Sequence, residues 1–142
     1  MSENIKIQSH KGVYSVNFDN LLLDNTEQLL VGESHFLIDA NVARLYADKL
    51  RSVLAYKNTV VIEATEANKS IDRIIPIFDR LVANNVRRDH TLIAIGGGII
   101  QDITCFIAST LLRGLAWRFV PTTLLAQADS CIGSKSSVNL GK

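Results

Sequence analysis

Leu92-Ile93-Ala94-Ile95-Gly96-Gly97-Gly98-Ile99-Ile100-Gln101-Asp102 joins an apolar run to a glycine triplet and then to a stretch with helical apolar spacing. The first four residues have the pattern of a strand buried on both faces. Ile99, Ile100, Ile103, Phe106, Ile107, Thr110 and Leu111 share one broad apolar face. The helix they predict ends near Arg113-Gly114, with Gly114 placed as a C′ residue. Three glycines between strand and helix leave the backbone bare. A phosphate group can then approach the N–H groups and the positive end of the helix. Plain tight turns also use glycine triplets, so the surrounding sequence decides the reading.

Upstream, the same alternation appears twice more. His35-Phe36-Leu37-Ile38 reads as a buried strand ending at Asp39, and Asn41 can cap a helix from about Val42 to Tyr56. That helix would place Val42, Leu45, Tyr46, Val53 and Leu54 on one face. Thr59-Val60-Val61-Ile62 reads as the next strand. Ser70 can cap a helix in which Ile71, Ile74, Ile75, Phe78, Leu81 and Val82 keep helical spacing, interrupted by Pro76. Downstream, Arg118-Phe119-Val120 is a fourth strand closed by Pro121. Thr122 or Thr123 can cap a short helix from Leu124 to Ala128. Ile5 to Ile7 and Val13 to Phe18 alternate around Lys11-Gly12, as a β-hairpin does. The expected fold is α/β: a Rossmann-like parallel sheet with flanking helices, right-handed crossovers and an N-terminal β-hairpin. Ser136 to Lys142 carry no clear element.

The bulk composition excludes several classes. The 142 residues suit one domain with a sizeable core or one part of a larger protein. Lys and Arg number 15 against 14 Asp and Glu, so no general charge drives the chain toward nucleic acid or membrane. No apolar run approaches the roughly 20 residues that span a bilayer. Met1-Ser2-Glu3-Asn4 lacks the basic and apolar regions of a secretory signal, which makes the cytoplasm the default. Cys105 and Cys131 make no disulfide framework. A nucleophilic Cys131 would have no His nearby in sequence to activate it. His10, His35 and His90 lack metal-ligand spacing.

Ligands of open α/β sheets bind outside the carboxyl ends of the strands. That rule gathers Asp39 and Asn41, then Glu63 and Glu66, then the glycines, then Thr122 and Thr123. Carboxylates for ribose hydroxyls, bare backbone for pyrophosphate and hydroxyls for orientation suit a dinucleotide. The triplet is not Gly-x-Gly-x-x-Gly and follows the third parallel strand, so the usual fingerprint is absent. Each residue also has a plainer reading. Asp39 and Asn41 can serve only as helix caps, and Glu66 with Lys69 as a solvated pair. Asp102 can answer the dipole in the first turn of its helix, and Arg113 the dipole at a helix end.

The segment Pro121-Thr122-Thr123-Leu124-Leu125-Ala126-Gln127-Ala128-Asp129-Ser130-Cys131-Ile132-Gly133-Ser134-Lys135 decides between these readings. With Gly96-Gly97-Gly98 and Asp102, Arg113-Gly114, Asp39-x-Asn41 and Glu66-x-x-Lys69, it resembles the dehydroquinate synthase family and its sugar-phosphate cyclase relatives. The resemblance is densest from Arg88 to Lys142. It implies that residues 1–142 form an NAD-binding α/β domain. Asp39, Asn41, Glu66, Lys69, Gly97, Gly98, Ile99, Asp102, Thr122, Thr123, Lys135 and Lys142 would hold the cofactor. Asp129 and Lys135 would be the catalytic pair where nicotinamide meets substrate. Arg113 would join Lys135 in binding substrate, facing its phosphate either within one protomer or across a homodimer interface. A phosphorylated acidic substrate needs such cations in a low-dielectric cleft.

The implied activity is that of a phosphate-eliminating carbon–oxygen lyase. NAD transiently oxidises a hydroxyl of a phosphorylated sugar or sugar acid, phosphate leaves, the hydride returns, and an aldol step closes a carbocycle. The family's divalent metal, zinc or cobalt, sits on a C-terminal helical domain whose ligands are absent from this chain. The expectation is therefore that these residues alone are inactive. Gly133-Ser134-Lys135-Ser136-Ser137 stands where synthases usually have Gly-Gly-Lys-Thr-Gly, and Thr104-Cys105 where they usually have Ala-Gly. The spacer to Gly141-Lys142 is also short. A related cyclase acting on sedoheptulose 7-phosphate or glucose 6-phosphate therefore stays open. So do a glycerol or iron-dependent alcohol dehydrogenase type of oxidoreductase and a non-catalytic nucleotide- or partner-binding module.

Overall fold

β1 (Glu3–Ser9) and β2 (Gly12–Phe18) pair antiparallel, from Glu3 opposite Phe18 to Ser9 opposite Gly12. This hairpin is seen in the computed structural model of the chain, which describes residues 3–30, 32–133 and 135–141. Gly12 supplies the turn with a φ of +130°, and the Ser9 hydroxyl donates to its carbonyl at 2.8 Å. The hairpin is the one the alternating runs predict.

The remaining strands are β3 (Ser34–Asp39), β4 (Thr59–Ile62), β5 (Thr91–Gly96) and β6 (Ala116–Pro121). They form one parallel sheet in the order β4-β3-β5-β6. The chain runs outward from β3 to β4, then returns across β3 to lay down β5. The switch point of the sheet therefore lies between the carboxyl ends of β3 and β5. Asp39 and Gly96 end those two strands, one step past the Ile38–Ile95 pair. A glycine turn after the third parallel strand is thus at the crevice, because the third strand borders the first.

The α-helices among the described residues are α1 (Ala40–Leu45), α2 (Arg51–Leu54), α3 (Ile71–Ala83), α4 (Gly98–Thr110) and α5 (Leu124–Ala128), of which the first four pack on the sheet. On one face Leu37, Leu92 and Ala94 meet Ile74, Ile77 and Leu81 of α3 and Ile100, Ile103 and Ile107 of α4. On the other, Phe36, Ile38, Ile93 and Ile95 meet Val42, Ala43, Leu50 and Val53. Each large aliphatic or aromatic chain buried this way contributes about 1.5–3 kcal/mol. Among the described residues no helix is long and apolar enough to cross a membrane.

The structure corrects several details. The helix expected from Val42 to Tyr56 is broken: α1 ends at Leu45, Tyr46 leaves helical geometry at ψ 28°, and α2 begins at Arg51. Leu45 and Tyr46 face solvent, so neither holds the break to the sheet, and the buried Leu50 brings the chain back onto it. Asp39 caps α1, accepting the Asn41 N–H at 2.8 Å, and Asn41 is inside the helix. In α3 the buried stripe is Ile74, Ile77 and Leu81, while Ile75 and Val82 are exposed; the helix continues through Pro76. Ser70 begins α3 in extended geometry with no side-chain cap. Asp102 is beyond the first turn of α4. The segment before Lys142 is not featureless either, since Asn139 forms a parallel bridge to Ser70.

Candidate functional site at the strand ends

The glycine triplet divides its tasks. A Cβ on Gly96 would stand 2.8 Å from Cγ1 of Ile100 and 3.1 Å from Cβ of Asp39, so this position brings α4 and β3 together. A Cβ on Gly97 would meet Cγ2 of Thr123 at 2.9 Å. A Cβ on Gly98 would meet nothing within 4 Å. The first two glycines serve the protein's own packing, and the third faces open space. Among the described residues no side chain caps α4, and the Gly97 carbonyl accepts from the Gln101 N–H at 3.1 Å. The amides of the first turn, Ile99 included, lack intrahelical partners, so the helix offers donors and a positive dipole end.

Thr122 and Thr123 close the other side. The Thr122 N–H donates to the Gly96 carbonyl at 2.9 Å, carrying β6 into the turn. Its Oγ1 is buried and has no partner among the described residues. Thr123 is the cap of α5, its Oγ1 accepting from the Ala126 N–H at 3.2 Å. Of the two threonines, Thr123 is the cap and Thr122 keeps a hydroxyl in reserve.

Three carboxylates border the turn, and each spends one oxygen on the protein. Asp39 Oδ1 takes the Asn41 amide. Glu66 Oε1 takes Lys69 Nζ at 3.1 Å and Asn139 Nδ2 at 3.2 Å. Asp102 Oδ2 takes Lys69 Nζ at 3.2 Å and the Ser137 hydroxyl at 3.4 Å. Asp39 Oδ2, Glu66 Oε2 and Asp102 Oδ1 have no partner among the described residues. Oriented, half-engaged carboxylates suit the hydroxyls of a sugar.

Lys69 is not the solvated surface cation that its sequence neighbourhood allows. The residue retains only 8% of its exposure. Burial pushes its pKa down, but the hydrogen bonds it donates to Glu66 and Asp102 outweigh this, and the net shift is upward. It stays an ammonium ion. Glu66 lies below the usual carboxylate range, first because Asn139 donates to it and then because Lys69 does.

The other expected site residues divide into two groups. Asp129 ends α5 beside the short turn Ser130–Ile132 and is exposed. Lys135 is exposed a few residues further on. Gln101 and Tyr14, neither of which the sequence reading singled out, hold this segment. The Gln101 amide donates to the Ser130 carbonyl at 2.6 Å and the Tyr14 hydroxyl to that of Ile132 at 2.8 Å. Nor does the sequence single out Asn139, or give Ser137 a role beyond its departure from the family's motif; a lone polar residue outside any periodic element carries no sequence signal. Arg113 is not brought to the turn. It follows α4 at the end away from Gly98, about 20 Å along the helix axis. There it lines an open hollow with Arg87 and Arg88. Lys142 lies outside the described residues. The Cys131 thiol is pushed up by burial and donates to the Gln127 carbonyl, so it is a poor nucleophile. Among the described residues no three His, Cys, Asp or Glu side chains converge on a possible metal site.

A family model described as 3-dehydroquinate synthase N-terminal matches residues 59–142. The chain belongs to the 3-dehydroquinate synthase family. The 3-dehydroquinate synthase of Alkaliphilus oremlandii is 38% identical over 143 residues, covering 96% of this chain and 39% of that protein. The chain thus spans about two fifths of that relative's length. Among solved structures, 2-deoxy-scyllo-inosose synthase complexed with carbaglucose-6-phosphate, NAD+ and Co2+ has the same fold, with a TM-score of 0.75 and 23% identity; the match covers 99% of this chain and 40% of that one. The 2-epi-5-epi-valiolone synthase of Streptomyces hygroscopicus subsp. jinggangensis 5008, with NAD+ and Zn2+ bound, gives a TM-score of 0.71 at 31% identity, covering 86% of this chain and 36% of that one.

Proposed function

We propose that this chain is the NAD-binding part of a cyclase of the 3-dehydroquinate synthase kind. The observation that carries the reading is the uncapped, glycine-lined start of α4, with Asp39 beside Gly96 and the Lys69-linked pair Asp102 and Glu66 further along, each carboxylate keeping one oxygen free among the described residues. The Thr122 hydroxyl, without a partner among the described residues, and the open space at Gly98 support the fit of these residues to the group. The amides of Gly98 and Ile99 would receive the pyrophosphate, while Asp39, Glu66 and Asp102 would take ribose hydroxyls. Asn41 would border the ribose from the start of α1, and Lys69 would hold two of the carboxylates in place. Thr122 and Thr123 would line the opposite wall, with Lys142 a further cofactor contact. When bound, NAD would supply a hydride acceptor for the C–H beside a substrate hydroxyl, whose O–H gives up a proton, and would give the hydride back later.

Asp129 and Lys135 would face the reacting end. The Asp129 carboxylate is suited to hold a proton at a substrate hydroxyl, and the Lys135 ammonium to bind an acidic or phosphorylated group. The position of Arg113 supports a homodimer, in which the phosphate-facing arginine comes from a second copy. The described residues do not fit a metal ion, so any zinc or cobalt would be held by ligands outside them. A phosphorylated sugar or sugar acid is the substrate class these cations suit.

The assay that separates this reading from an oxidoreductase follows two products together. The intact enzyme, supplied with a sugar phosphate and NAD, should release inorganic phosphate with no net change in NADH. Net oxidation of NADH without phosphate release would contradict the reading.

A further inference from the structure

The segment that carries Lys135 does not merely pass the cofactor edge; it is stitched to it. The Asn139 N–H donates to the Lys69 carbonyl at 2.8 Å, and its own carbonyl accepts from the Ile71 N–H at 3.0 Å. The Asn139 side-chain amide donates to both the backbone carbonyl and Oε1 of Glu66, each at 3.2 Å. Val138 packs against the core, and the Ser137 hydroxyl accepts from Lys69 while donating to Asp102. Ser137 and Asn139 thus engage Glu66, Lys69 and Asp102 together, with Val138 packed on the core between them.

We propose that Asn139 is a positioning residue that couples the Lys135 segment to the cofactor edge, holding Glu66 by Oε1 so that Oε2 is presented to a ribose hydroxyl. The proposal rests on the NAD reading above. Its physical basis is the geometry of one shared oxygen. Lys69 alone could engage either oxygen of an exposed Glu66, because an ammonium is a point charge with rotatable donors. The amide, held by backbone bonds on both sides, selects one. The coupling is reciprocal: whatever orders Ser137 to Asn139 favours cofactor binding, and cofactor binding favours that order.

The test compares wild-type protein with Asn139→Ala and the isosteric Asn139→Asp, by calorimetric titration with NAD+ and by NMR titration of the Glu66 carboxyl. In Asn139→Ala the affinity should fall about ten-fold, the usual scale for losing a hydrogen bond to a charged group. The Glu66 carboxyl should at the same time titrate closer to the ordinary carboxylate range, a change that a general loss of stability does not produce. Asn139→Asp sets a second carboxylate against Glu66. It should bind worse than Asn139→Ala at neutral pH and recover as the pH falls and the two share a proton. Wild-type affinity in both variants, or lost affinity with an unchanged Glu66 titration, would overturn the proposal. A folded wild-type protein that does not bind NAD+ would instead refute the cofactor reading, and this proposal with it.

Discussion

Nζ of Lys69 and Oδ2 of Asp102 lie 3.2 Å apart, although 33 residues separate them. The contact joins the turn after β4 to the second turn of α4. The Lys69 side chain retains 10% of its exposure and that of Asp102 21%, so the pair is largely withdrawn from water. Lys69→Met removes the cation and leaves Asp102 and the Glu66 contact unneutralised. Asp102 keeps some contact with water, so the loss is smaller than for a fully buried pair, about 1–2 kcal/mol, and the denaturant midpoint should drop by that equivalent. Lys69→Arg should recover part of it. A Met variant as stable as wild type would show that the ammonium contributes no net stability.

The glycine positions make opposite predictions within three residues. Gly96→Ala forces a Cβ to 2.8 Å from Ile100 and 3.1 Å from Asp39. Overpacking of this kind costs about 1–3 kcal/mol. Gly98→Ala enters open space at the first residue of α4 and should alter stability by no more than about 0.5 kcal/mol. Thermal unfolding of the two variants side by side checks the contrast. Equal loss in both would mean that the turn does not pack as described.

At the other end of the sheet, His35 is fully buried, with its Nε2 3.0 Å from Nδ1 of His90. His90 Nδ1 also accepts the Arg87 N–H, which makes His35 the donor of the pair. Burial first, then the charge of His90 and of Lys57, push the His35 pKa below 6.5, while Glu33 opposes them; Asp89 lies 3.9 Å from His90 Nε2. The unfolded chain therefore takes up this proton at higher pH than the folded one. Stability contributed by neutral His35 is present above pH 6.5 and declines as the pH falls below it. Melting temperatures between about pH 7.5 and pH 5.5 should fall for wild type and fall less for His35→Leu. Parallel slopes would assign the acid sensitivity elsewhere.

Most of the fold was legible because its signals are local. Runs such as His35–Ile38 and Leu92–Ile95 are apolar on both faces, which a doubly covered parallel strand requires. The turn at Gly96–Gly98 could be placed at a ligand crevice only once the strand order put β5 beside β3, and strand order is a tertiary fact. The break at Tyr46 escaped periodicity because Val42, Ala43, Leu50 and Val53 keep helical spacing across it. The candidate site was legible as a set of strand-end residues. Its internal wiring was not. Lys69 meeting Asp102, or Asn139 meeting Glu66, depends on side chains 33 and 73 residues apart. Arg113 shows the reverse: its place in a sequence motif says nothing about which end of α4 it occupies.

The most direct test of the account is a calorimetric titration of the folded protein with NAD+, run in parallel on Gly98→Val. Wild type should bind in a single class of site, and the stabilisation at a hundred-fold excess over Kd should be about 2.7 kcal/mol. Gly98→Val should stay folded and lose that binding, because a branched side chain would fill the space above the α4 amides. Absence of binding by folded wild type, or unchanged binding by Gly98→Val, would contradict the claim that this turn holds the cofactor.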